Sequence, residues 1–139
     1  MSSDRPLQLL ASHPPPGPGR ILLVEDEVLI QMLAAEDLEK LGFQVEIAAS
    51  AASAKSKLQS LNGAVDAALV DVGLPDMKGD DLVAEMLAIY PKLRVIIATG
   101  YDDALFRKKF VNQTSVGFLK KPYSPEELRV ALVSIGALA

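Results

Sequence analysis

From Arg20 onward the chain alternates two kinds of pattern. Short unbroken apolar runs are what strands buried on both faces produce; stretches with apolar residues every three or four positions mark helices with one face on a core. "RILLV" predicts a first strand, and Ile30, Ala34, Leu38 and Leu41 predict a helix with Gly42 as its stop. "FQVEIA" predicts a second strand. Ser50 is placed to cap a second helix whose Ala51, Ala54, Leu58 and Leu61 share a face, ended by Asn62 and Gly63. "DAALVD" predicts the third strand, and Leu82, Met86 and Ile89 the third helix, stopped by Pro91. "RVIIAT" predicts the fourth strand, followed by a weaker, more polar helix around "DDALFRKKF", and "VGFL" predicts the fifth. "SPEEL" has the form of a capping box, with Ser124 as N-cap, Pro125 at the first helical position and Glu127 reaching back. Leu128, Ala131, Leu132 and Ile135 then give the last helix its core face.

Five strand–helix alternations with apolar, non-alternating strands predict an α/β fold: a doubly wound, five-stranded parallel sheet with helices on both faces, flavodoxin-like in layout. In such open sheets ligands bind beyond the carboxyl ends of the strands, near the point where the strand order reverses. The residues that end each strand therefore become the candidates for chemistry.

Composition narrows the classes. With 139 residues the chain suits one compact domain, and with 50% hydrophobic and 23% charged residues it has the makings of a packed core. Residues 1–19, "MSSDRPLQLLASHPPPGPG", predict a disordered Pro/Gly-rich tail or linker before a domain at 20–139. The apolar core of that tail is too short for a secretory signal, and no apolar run approaches a bilayer span, which argues against membrane insertion. "PPPGP" has the composition of a ligand for a proline-binding domain, although a solvated tail is the simpler reading. His13 is the chain's single histidine and lacks the partners a metal site needs. Without cysteine there is no disulfide framework, which permits a cytoplasmic location. A net charge of −4 gives no basic footprint and speaks against direct nucleic-acid binding.

Glu25, Asp26 and Glu27 follow the first strand, Asp71 ends the third, Thr99 the fourth, and Lys121 with Pro122 follows the fifth. Two carboxylates about 5 Å apart at an effective dielectric near 20 repel by roughly 3 kcal/mol. A divalent cation reverses that sign, and carboxylates with open water positions suit Mg²⁺. Taken singly, each residue has an ordinary explanation. The three acids could favour a helix N-terminus, Asp71 could be a turn residue, Thr99 a strand end and Lys121 a solvated lysine. Their convergence on one rim with complementary chemistry has no such explanation.

"ILLVEDE", "ALVDVGLPDMKG", "VIIATG" and "GFLKKPYS" together resemble the motifs of response-regulator receiver domains from two-component signalling. The resemblance runs from Arg20 to the C-terminus with the motifs in order. It implies that Asp71 is the phosphoacceptor, attacking the phosphorus of a phosphohistidine on a sensor histidine kinase or histidine phosphotransfer protein. It implies Asp26 as a direct Mg²⁺ ligand, Glu25 as its companion acting through water, and the Gly73 carbonyl as a further ligand. Thr99 matches the switch hydroxyl and Lys121, rather than Lys120, the ammonium that pairs with the phosphoryl group. A cis Lys121–Pro122 bond is implied as well. Phe118 falls at the family's aromatic switch position, with an ordinary core phenylalanine as the alternative. The small Gly100 would keep the site open, and "ATGYDD" resembles the signature of a subset of stand-alone receivers.

Such a domain is not an enzyme in the usual sense, since it catalyses only its own phosphorylation and dephosphorylation. The signal would leave through the face of the fourth helix, fifth strand and fifth helix, where Arg107, Lys108 and Lys109 stand beside Phe106 and Phe110. One of those two phenylalanines is free to be core instead. Competing classes fit less well. A flavin or nucleotide binder would want a glycine-rich first loop where this chain has "VEDEV". A phosphohydrolase resembling the haloacid dehalogenase group would want an Asp where Gly73 stands. A degenerate interaction domain would not need the full set of Asp26, Asp71, Thr99 and Lys121.

Overall fold

The computed structural model describes residues 19–100 and 104–139. The expected tail, apart from Gly19, and Tyr101 to Asp103 of "ATGYDD" lie outside the described residues. In chain order the elements are β1 (Arg20–Val24), α1 (Val28–Lys40), β2 (Gln44–Ala48), α2 (Ala51–Ser60) and β3 (Ala67–Asp71), then α3 (Gly79–Ile89), β4 (Val95–Thr99), α4 (Ala104–Lys109), β5 (Val116–Lys120) and α5 (Pro125–Ser134). The sheet has the order β2-β1-β3-β4-β5, and every neighbouring pair is parallel. The predicted architecture is the observed one.

Alternation within the strands explains their apolar runs. Leu22, Val24, Val70 and Ile97 point to one face, where they meet Ala54 and Leu58 of α2 and Leu82, Val83 and Met86 of α3. Ile21, Leu23, Leu69 and Ile96 point to the other, against Ala34 and Leu38 of α1 and Leu128 and Leu132 of α5. Each fully buried Leu, Ile or Met contributes about 1.5–3 kcal/mol of transfer free energy. β2 is an edge strand and only its last residue, Ala48, is buried.

The local stops work as the sequence implies. Gly42 adopts φ 101° after α1, and Asn62 and Gly63 take φ 54° and 71° after α2. Ser50 Oγ accepts from Ser53 N at 3.1 Å, and both halves of the Ser124–Glu127 capping box are present. Ile89 departs from expectation. It is the last residue of α3, 66% exposed, because the helix has by then run past the core that holds Leu82 and Met86.

α4 is the least anchored helix, with no buried residue of its own. Phe110, just beyond it, is the phenylalanine that enters the core. Lys109 Nζ donates to Asp80 Oδ2 at 2.9 Å and Asp81 Oδ1 at 2.8 Å on α3, and the Arg107 guanidinium lies 4.7 Å from the Phe118 ring centre.

At both ends of the described chain the backbone returns to the amino-terminal edge of the sheet. Gly19 lies against Asp66, just before β3, and Gly136 against Arg94, just before β4.

Candidate functional site

The switch point of this strand order falls between β1 and β3, where the chain leaves the sheet in opposite directions. Glu25 follows β1 and is only 4% exposed; Asp26, next in sequence, is exposed; Asp71 ends β3 at 6% exposed. Carboxylate oxygens of all three lie within 4.8 Å of one another. A helix-opening role does not account for Glu25. α1 has no acid in its first turn, and Glu27, its N-cap, makes no side-chain capping bond. Glu25 is instead fixed by its own loop and by α1: Oε2 accepts from Glu27 N at 3.1 Å, and Gln31 Nε2 of α1 donates to the Glu25 carbonyl at 2.6 Å.

Lys121 supplies the counter-charge. Its Nζ donates to Asp71 Oδ1 at 2.7 Å and stands 3.9 Å from Glu25 Oε1. The backbone places it: Lys121 N donates to the Thr99 carbonyl at 2.8 Å, joining the ends of β4 and β5, and the Lys121–Pro122 peptide bond is cis. Burial pulls the Lys121 ammonium down, but the hydrogen bond to Asp71 and the charges of Asp71, Glu25 and Glu27 outweigh it and leave the pKa raised. Burial pushes Glu25 above the usual carboxylate range; the bond from Glu27 N opposes that and the Asp71 charge adds to it. Tyr123 is pushed up to about 12, by burial first and then by the charges of Glu25, Asp37 and Asp71.

Asp26, Glu27, Asp71, Val72, Gly73, Thr99, Gly100 and Lys121 line a pocket of about 440 Å³. Thr99 is 1% exposed. Among the described residues, a methyl group on Gly100 would meet nothing within 4 Å. The chemistry of the donor set fits a hard divalent cation. It consists of carboxylates alone, with neither thiolate nor imidazole, beside a space large enough for water to complete the coordination.

The loop of residues 72–78 connects β3 to α3 and carries Gly73. Gly73 bridges Lys78 in antiparallel fashion, and Gly79 N donates to the Val72 carbonyl at 2.8 Å. Gly79 starts α3 directly against the end of β3: a methyl group there would overlap the Asp71 carbonyl and lie 2.7 Å from Val72 Cα. At the tip of the loop, Asp76 accepts from Ala51 N through Oδ1 at 2.8 Å and from Ala52 N through Oδ2 at 3.0 Å.

The structure thus brings Glu25, Asp26, Asp71, Gly73, Thr99 and Lys121 to one rim. Phe118 is half-buried in β5 beneath Arg107 rather than lining the pocket. Gln31, Asp76, Tyr123 and the Asp80–Lys109 pair escaped the sequence reading. Periodicity marks Gln31 and Asp80 only as helix positions, and the partners of Asp76 lie 24 and 25 residues away.

Residues 21–133 match the response regulator receiver domain family. The chain is 34% identical over 112 residues to the sensor kinase CckA of Brucella abortus, covering 81% of this chain and 12% of that protein. It is 36% identical over 112 residues to a cyclic di-GMP phosphodiesterase of Thermotoga maritima, covering 81% of this chain and 29% of that one. It therefore spans a small part of these two relatives. Among solved structures, a CheY-like receiver domain protein from Methanospirillum hungatei aligns with TM-score 0.74 and 31% identity, over 83% of this chain and 90% of that one. The receiver domain of the hybrid histidine kinase CckA aligns with TM-score 0.70 and 28% identity, over 84% and 99%. Among the described residues no helix is long and apolar enough to cross a membrane. Fold, rim and sequence agree, and the chain belongs to the response regulator receiver domain family of two-component signalling.

Proposed function

We propose that the domain accepts a phosphoryl group on Asp71 from the phosphohistidine of a sensor histidine kinase or histidine phosphotransfer protein, in a Mg²⁺-dependent reaction that switches a protein-binding surface. The observation that carries this reading is the convergence on Asp71 of an ammonium 2.7 Å from Oδ1 and two further carboxylates within 4.8 Å. An Asp71 oxygen attacks phosphorus, the P–N bond to the donor imidazole breaks, and the imidazole keeps the electron pair. Bound by Glu25, Asp26, Asp71 and the Gly73 carbonyl, Mg²⁺ would supply positive charge to the phosphoryl oxygens. Lys121 leaves its bond to Asp71 for a phosphoryl oxygen, and the Thr99 hydroxyl orients a second. Hydrolysis reverses the charge change: water attacks phosphorus, the P–O bond to the Asp71 carboxylate breaks, the carboxylate keeps the electron pair and inorganic phosphate leaves. The domain acts on itself and on no other substrate.

A protein donor must bring its histidine to this rim. Val28, Leu29, Met32 and Leu33 of α1, each 57–68% exposed and following Glu27 in the chain, offer it an apolar surface. The switched surface is the face of α4, β5 and α5. Its anchors are Arg107, Lys108, half-buried Phe106 and Leu105, the last 79% exposed. This reading places the domain in the cytoplasm with its donor. The test is intact mass after incubation with Mg²⁺ and a small phosphodonor such as phosphoramidate. One phosphoryl adduct is expected on the wild type and none on Asp71→Asn; an unmodified wild type overturns the reading.

A further inference from the structure

The N-terminus of α2 is held twice. Ser50, its own N-cap, satisfies Ser53 N, and the Ser50 carbonyl takes Ala54 N at 3.0 Å. The remaining donors of that first turn, Ala51 N and Ala52 N, go to the two oxygens of one carboxylate, Asp76, from a different loop. A helix needing only a cap would be served by Ser50 and water. A carboxylate that spans two adjacent N–H groups fixes the position and the rotation of the loop that carries it.

That loop is the one between β3 and α3. Its ends are tied at Val72, whose N donates to the Ala98 carbonyl at 3.1 Å, and at Gly79 against Asp71. Between them Leu74 and Met77 pack only partly buried on the core, and such contacts leave a loop free to slide. Asp76 is the polar pin at its tip, and the Gly73–Lys78 bridge carries that constraint back to the leg holding the Gly73 carbonyl. We infer that Asp76 is a positioning residue for the cation site, which docks the β3–α3 loop on the N-terminus of α2 and thereby holds the Gly73 backbone ready for Mg²⁺. The inference rests on the function proposed above. The bonds from Ala52 N and Ala51 N also hold the Asp76 carboxyl below its ordinary pKa, as a carboxylate engaged in its charged form should be.

The effect should be smaller than the 10–100-fold loss typical when a group bonded directly to a metal ligand is removed, because one loop leg intervenes. Calorimetric titration of Asp76→Ala with Mg²⁺ should show a dissociation constant raised about three- to tenfold, with Asp76→Asn, which keeps one acceptor, in between. Ser50→Ala is the control, since it weakens the same helix end without touching the loop. It should lower the melting temperature and leave Mg²⁺ affinity within twofold of wild type. In metal-free protein, amide exchange over residues 72–78 should quicken in Asp76→Ala and not in Ser50→Ala. Unchanged Mg²⁺ affinity and loop exchange in Asp76→Ala, or equal effects of Ser50→Ala, reduce Asp76 to a helix cap and overturn the inference. A wild type that binds no Mg²⁺ overturns the functional reading itself.

Discussion

Asp71 is surrounded by groups whose effects oppose one another. Glu25 and Asp26 raise the cost of its charge, while Lys121 at 2.7 Å lowers it. Replacing Lys121 with Met removes the cation that offsets both the apo repulsion and the transferred phosphoryl charge. Phosphorylation by a small donor should then slow by about a hundredfold, read as the initial rate of adduct formation. A retained rate would assign the lysine to apo stability alone. Gly79 is demanded on steric grounds, since any Cβ meets backbone of β3 rather than a yielding side chain. Gly79→Ala should destabilise by about 1–3 kcal/mol in denaturant titration, and a neutral result would mean that α3 can shift from Asp71 cheaply. The acids, Thr99 and Lys121 were legible in the sequence because strand ends announce themselves. The pairings that orient them were not: Gln31 acts through a backbone carbonyl and Asp76 through amides of a distant helix.

At the scale of elements, the strands and the α5 capping box were readable because burial on both faces and local capping leave local patterns. Ile89 misled because periodicity continues to the last turn of a helix even after the core has ended. α4 is tied to its neighbours by Lys109 on Asp80 and Asp81 and by Arg107 over Phe118. Lys109 is lowered by burial but raised further by its bonds to Asp81 and Asp80, ending above its ordinary value, while its bond and charge hold Asp81 below its own. A depressed acid gives up its contribution as pH falls through its folded value, below about pH 4. A raised base gives it up as pH rises through its folded value, above about pH 10. Amide protection of α4, corrected for intrinsic exchange, should therefore stay level between those limits and fall outside them. Lys109→Met should show the lower protection at every pH; a protected α4 in that variant would assign its anchoring to Phe110.

Over the whole molecule, the acidic rim is an unfavourable charge cluster that a bound cation would relieve. If the native state alone binds Mg²⁺, a concentration a hundred times the dissociation constant stabilises by about 2.7 kcal/mol. The melting temperature should rise with Mg²⁺ and return on chelation, and Asp26→Asn should shrink that rise. A rise unchanged by that substitution would place the ion elsewhere. Gly19 and Gly136 sit by the amino-terminal ends of β3 and β4, while the rim lies at the carboxyl ends of the strands. A bead or fluorophore attached at these two points would hang beneath the sheet like a handle. The domain can be held at both points at once and still present Asp71 to the partner that approaches from above.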